Sequence, residues 1–141
     1  MKEKAIGRWY KDGEVICRQG EIGDCMYLIQ HGNIELIHRD GSKEFCLGEF
    51  GVGSFWGEDA LLERDFVRKA TSRAVGEACV LSIERRMFLS RIHEDPSFVL
   101  KVMQQMSRRA QALQAALMRS ATTEDVVEAI AGSPPAIKGP D

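Results

Sequence analysis

No apolar run in the 141-residue sequence approaches the roughly 20 residues that a bilayer-spanning helix requires. The first residues, Met1 to Arg8, also lack the apolar stretch of a secretion signal. A soluble, cytoplasmic protein with no membrane partner is therefore expected. Basic residues are not in excess either: 19 Lys and Arg stand against 21 Asp and Glu, a formal net charge of -2. A protein that holds polyanions by neutralising phosphates gathers Lys and Arg on one face, so this balance excludes a general nucleic-acid binder. Cys17, Cys25, Cys46 and Cys79 include no C-x-x-C pair, which leaves no ligand spacing for a metal and no redox dithiol. Three of the four lie in or beside apolar stretches, where a free thiol packs as a small hydrophobe. His31, His38 and His93 form no paired arrangement; His31 reads as a turn residue and His93 as part of an exposed helix face. With no nucleophile beside a base and no carboxylate pair suited to acid and base work, a non-enzymatic protein is expected.

What is present is enough for one domain with a real core, 44% of the chain being hydrophobic. Met26-Tyr27-Leu28-Ile29 is an apolar run of strand length, Asn33 to His38 partly alternates, and Asp40-Gly41 is a hairpin turn signal. Gly20, Gly23 and Gly32 bound these short strands, where φ > 0 suits a tight turn. Ala78 to Glu84 reads as a last strand. Short strands with frequent turns predict an antiparallel roll or barrel.

The pattern then turns helical. Arg85 to Glu94 forms one helix, with Met87, Phe88 and Ile92 on its apolar side. Asp95-Pro96 marks a boundary, and from there to about Arg119 neither glycine nor proline interrupts strong helix formers. Val99, Met103, Met106, Ala110, Leu113 and Leu117 recur at alternating spacings of four and three, the seam of a two-stranded coiled coil. Homodimerisation through this helix is the expectation, against packing of the stripe on the domain itself.

The fifteen residues Gly57 to Thr71 carry the chemistry. Glu58 opens them, Asp59-Ala60-Leu61-Leu62 forms a short helical run, and Arg68 closes them beside the small residue Ala70. Backbone N–H groups at a helix start favour an anion, and an arginine fork adds a bidentate counter-charge. Glu58 suits a hydroxyl rather than a phosphate. A ligand with both a phosphate and a ribose is implied.

This stretch resembles the phosphate-binding cassette of the cyclic-nucleotide-binding domain family, F-G-E-x-[AG]-L followed by a short loop and R-x-A-[TS]. Phe55, Gly57, Glu58, Ala60, Leu61, Arg68, Ala70 and Thr71 match, with Trp56 standing between Phe55 and Gly57. Upstream, Ile16 to Gly32 is similar to the glycine-punctuated signature of the same family. The resemblance covers roughly Tyr10 to Arg119 and is strongest to the ligand-binding half of Crp/Fnr-type bacterial regulators. It implies a mainly β fold with α, an antiparallel, jelly-roll-like β-roll followed by a long C-terminal dimerisation helix. It implies a cyclic nucleotide as ligand, cAMP first and cGMP as the alternative.

Position by position, the resemblance implies that Gly57 and Ala60 lend backbone groups, Glu58 binds the ribose 2′-hydroxyl, Arg68 binds the cyclic phosphate, and Leu61 senses the filled cassette. Asp59, Lys69, Ala70 and Gln114 complete the candidate ligand-binding set. Lys69 replaces a serine that contacts the phosphate; it either adds a second positive charge to the site or turns outward, the favoured alternative, since its ammonium then stays in water. Leu113 and Gln114 replace a base-reading Thr-Ser pair on the helix that covers the base, and Gln114 can both donate and accept. Trp56 reads as a core residue.

The expected organisation is a cyclic-nucleotide-binding domain over 1–121, with the roll at about 10–84 and helices at about 85–94 and 96–119. A short helix from Thr122 and a flexible tail would occupy 122–141. That tail is too short for a helix-turn-helix unit, so DNA binding by this chain alone is not expected. Output would pass to an effector protein through the seam or the tail. The rival expectation is a scaffold that keeps the roll without a ligand.

Overall fold

The computed structural model describes residues 6–120; the short helix and tail expected over 122–141 lie outside the described residues. Eight strands come first: β1 (Arg8–Tyr10), β2 (Val15–Cys17), β3 (Ile22–Gly23), β4 (Cys25–Asp40), β5 (Lys43–Phe50), β6 (Phe55–Trp56), β7 (Phe66–Val67) and β8 (Thr71–Glu84). One helical turn, α1 (Asp59–Leu62), interrupts them, and α2 (Arg85–Glu94) and α3 (Ser97–Ser120) follow.

All pairings are antiparallel. The main sheet runs β1-β8-β4-β5, with β2 added on β8 and β6 on β4, while β3 and β7 form a separate two-stranded ribbon. This is the mainly β architecture with a long terminal helix that the sequence predicts. The strand lengths differ from expectation. Instead of short strands broken by turns, β4 and β8 run 16 and 14 residues and pair along most of their length. Gly32 has φ +77° but does not end β4. It sits where the register slips between His31 and Asn33, so the strand bends there and continues. A Cβ at Gly32 would lie 2.1 Å from the Glu77 carbonyl oxygen on β8, which explains the glycine. His31 accordingly lies inside β4, against the Trp9 ring at 5.2 Å, and not in a turn.

The core fills the inside of the roll, where Tyr10, Tyr27, Ile29, Ile34, Trp56 and Val80 are all buried. Cys17, Cys25 and Cys79 are buried free thiols, whereas Cys46 is exposed. Phe98, at the start of α3, meets Phe55 of β6 and Phe88 of α2 edge-on, each at 5.6 Å between ring centres.

The chain divides into two compact units, Met1–Val99 and Leu100–Asp141. In the second, Met103, Met106, Ala110, Leu113 and Leu117 are exposed along α3, Leu113 at 68% of its full accessible area. Val99, the remaining seam position, closes the first unit and is half-buried.

Candidate functional site

The Gly57–Thr71 segment leaves β6 at Trp56, makes the single turn of α1, passes through β7 and enters β8. Gly57 has φ +81°, a left-handed conformation that lets the chain turn sharply from the strand into α1. Ala60 and Leu61 are buried beneath the turn, Glu58 is half-buried and Asp59 is exposed. The Ala60 amide donates to the Gly57 carbonyl at 3.1 Å and the Leu61 amide to the Glu58 carbonyl at 2.9 Å. The Ala60 N–H is thus already committed within the turn. Arg85 on α2 donates to the Leu61 carbonyl, fastening the end of α1.

Arg68 is the unusual residue of the segment. Its side chain is folded into the protein, with only 5% of its area exposed. Nη2 donates to the Cys25 carbonyl at 2.6 Å and reaches the Cys25 sulfur at 3.7 Å, and Nη1 approaches the Gly57 carbonyl at 3.5 Å. The guanidinium also lies over the Tyr27 ring, 5.1 Å from its centre, and Tyr27 in turn stacks on Trp56 at 4.8 Å. Burial, with help from a hydrogen bond to Cys25, holds the Tyr27 phenol well above its ordinary pKa of 10.0, so it faces Arg68 as a neutral ring at physiological pH.

The structure therefore brings Gly57 and Arg68 together and sets Glu58, Ala60 and Leu61 beside them on the same turn. Ala70 is half-buried just before β8. Lys69 is exposed and lines an open surface depression of about 470 Å³ together with Asp59, Glu63 and Asp65. The Lys69 carbonyl bonds His38 Nδ1 at 2.8 Å, which puts the ring proton on that nitrogen. Gln114 is exposed on α3, in the second unit.

Sequence reasoning missed three participants: Gly23, Cys25 and Tyr27. Gly23 was expected to be a turn glycine, yet it lies in β3 and is not among the positive-φ residues. It is glycine for a different reason: a Cβ there would stand 2.3 Å from Arg68 Nε. Cys25 contributes a main-chain carbonyl, which residue type does not reveal. Tyr27 looked like one member of an apolar strand. Trp56 is buried as expected of a core residue, but its indole N–H finds no acceptor among the described residues. No cluster of three or more His, Cys, Asp or Glu side chains able to hold a metal occurs among the described residues.

The chain is similar to several known proteins. The chain is 30% identical over 122 residues to lysophospholipase nte1 of Aspergillus fumigatus, a match covering 86% of this chain and 8% of that protein. It is 30% identical over 103 residues to the cAMP-activated global transcriptional regulator CRP of Salmonella typhimurium, covering 72% of this chain and 49% of the relative. Among solved structures, the catabolite activator protein of Thermus thermophilus superposes with a TM-score of 0.68 at 29% identity, over 78% of this chain and 52% of that one. The chain thus spans half or less of the length of these curated relatives, one of which is an enzyme in which the matched segment is a small part. The sequence profile described as "Cyclic nucleotide-binding domain" matches residues 7–95, more than half of the chain. The protein belongs to the cyclic nucleotide-binding domain family.

Proposed function

We propose that the chain is a cyclic-nucleotide sensor, with cAMP as the leading ligand and cGMP as the alternative. The observation that carries this reading is Arg68: a guanidinium with 5% of its area exposed whose hydrogen bonds go to the uncharged carbonyls of Cys25 and Gly57, with the Cys25 sulfur nearby. A buried cation calls for an anion, and the cyclic phosphate of a nucleotide supplies one beside the Gly57 turn. Glu58, half-buried at the head of α1, is the acceptor for a ribose 2′-hydroxyl. Gly57, Asp59, Ala60 and Ala70 form the remaining wall, and Leu61, buried under the turn, is the apolar contact that registers occupancy. Lys69, being exposed, adds to the electrostatic attraction rather than to a direct bond. Gln114 is the residue to which the family resemblance assigns contact with the base.

The exposed stripe Met103, Met106, Ala110, Leu113 and Leu117, continued back to Val99, supports homodimerisation through α3. Ligand would then bias the position of that helix, and an effector protein would read the change. Such coupling exists only to the extent that one arrangement binds nucleotide better than the other. The name of the Salmonella relative, a cAMP-activated regulator, favours cAMP.

Calorimetric titration of the wild-type protein and Arg68→Ala with cAMP and cGMP tests the reading. Saturable binding by the wild type and loss in the variant is the expected outcome. A thermal-shift panel showing no stabilisation by any nucleotide would leave the roll as a dimerisation scaffold, because a ligand specific for the native state must raise its stability.

A further inference from the structure

We infer that the β3–β4 segment is the clamp that aims the phosphate arginine, with Gly23, Cys25 and Tyr27 as its positioning residues. The inference rests on the reading of Arg68 as the phosphate ligand, and it extends the site to a stretch outside the cassette.

Both main-chain groups of Arg68 are tied to the turn that precedes β3. The Arg68 amide donates to the Glu21 carbonyl and the Gly20 amide donates to the Arg68 carbonyl, each at 2.8 Å. The β3–β7 pairing, with Gly23 opposite Phe66 and Ile22 opposite Val67, delivers the chain to that point. The side chain then runs directly over Gly23. A Cβ at that position would fall 2.3 Å from Nε and 2.5 Å from Cζ, closer than real Cβ contacts allow. The absence of a side chain at residue 23 is therefore a channel for the guanidinium, not a requirement of backbone conformation. Beyond it, the Cys25 carbonyl takes Nη2 at 2.6 Å, a short charge-assisted bond. Tyr27, two residues on and on the same face of the strand, supports the guanidinium plane, with Trp56 stacked on Tyr27.

The donor count fits a clamp that leaves the arginine usable. A guanidinium has five N–H donors. Those of Nη2 go to the Cys25 carbonyl and sulfur, and one from Nη1 goes to Gly57. The Nε–H and the second Nη1–H are left for an anion. Gly23, Cys25 and Tyr27 thus act as one device, with alternate residues along the chain turned to the same task.

The test separates this inference from the proposed function by using a readout that needs no nucleotide. In the ligand-free protein, the Arg68 Nε–Hε resonance, assigned by its loss in Arg68→Lys, should be shifted by the Tyr27 ring and slow to exchange. Gly23→Ala and Tyr27→Leu should each return it toward the position of a solvent-exposed arginine, while Tyr27→Phe, which keeps the ring, should not. Calorimetry with cAMP should then show roughly tenfold weaker binding for Gly23→Ala and Tyr27→Leu in the wild-type background. In the Arg68→Lys background the same changes should cost less than about twofold, the non-additivity that marks residues acting through one partner. An Arg68 resonance already at the exposed position, or equal losses in both backgrounds, overturns the clamp. Absence of cAMP and cGMP binding by a wild-type protein whose Arg68 resonance is shifted and protected overturns the proposed function and leaves the clamp standing.

Discussion

Two arginines five residues apart, Arg68 and Arg73, show how one chain uses the same charge for opposite ends. Arg73 is about one-third exposed and is neutralised within the protein, by Glu35 at 2.9 Å and Glu44 at 3.5 Å. The hydrogen bond that Arg73 donates to Glu35, with the carboxylates of Glu35 and Glu44 nearby, raises its pKa above the ordinary arginine value, so its charge is fixed and locally balanced. Arg68 is buried and held by neutral groups. The first arginine ties β8 to β4 and β5. The second is shaped and aimed by its surroundings without being neutralised by the carbonyls that hold it. What distinguishes a structural cation from one proposed to bind a ligand is therefore the company it keeps, not its residue type or its place in the strand order.

The comparison can be broken most directly by removing each arginine in turn. Arg68→Ala should weaken cAMP binding by about 100-fold or more, the loss of a buried charge-assisted contact, while the far-ultraviolet spectrum stays that of the wild type. Arg73→Ala should leave the dissociation constant within about twofold, and equal losses from both would erase the distinction. A charge placed in the α3 seam should have the next largest effect. Met106→Glu together with Leu113→Glu should convert a dimer to a monomer by light scattering at concentrations where the wild type is paired.

Smaller effects sharpen the contrast. Gly57→Ala meets two obstacles: φ +81°, and a Cβ that would lie 2.6 Å from Arg68 Nη1. About 1 kcal/mol of lost stability and roughly tenfold weaker nucleotide binding are expected, read by chemical denaturation and calorimetry. Arg73→Ala should cost stability only, about 1 kcal/mol or less, because its ion pairs are partly solvated. The smallest effect concerns Tyr27. Its folded-state pKa lies above the unfolded value near 10, so the folded state retains a proton the unfolded chain gives up, and stability falls as pH rises beyond about 10. Tyr27→Phe should flatten that fall in part, since burial also raises Tyr10. A pH profile unchanged by the substitution would deny Tyr27 its buried, neutral role.

Much of this molecule could be read before its structure was described. The fold class, the boundaries of α2 and α3, and the co-location of Gly57 with Arg68 follow from periodicity, from Pro96 and from the cassette pattern. Strand length was not legible, because Gly32 looks the same in sequence whether it ends a strand or bends one. The role of Gly23 was misread for a related reason: glycine satisfies two demands, a left-handed backbone and close approach, and only the three-dimensional neighbour tells them apart. Cys25 was invisible as a site residue because a carbonyl oxygen is common to all twenty residue types.

The tied main chain and cradled side chain of Arg68 carry a thermodynamic consequence. An arginine free in solvent loses up to about 2 kcal/mol of rotamer entropy when it is ordered. Here that ordering takes place during folding, against Cys25 and Tyr27, so it is absent from the binding step. Ligand capture by this arginine should accordingly show a smaller entropic penalty than capture by a mobile one, and the fold rather than the ligand bears the cost of aiming it.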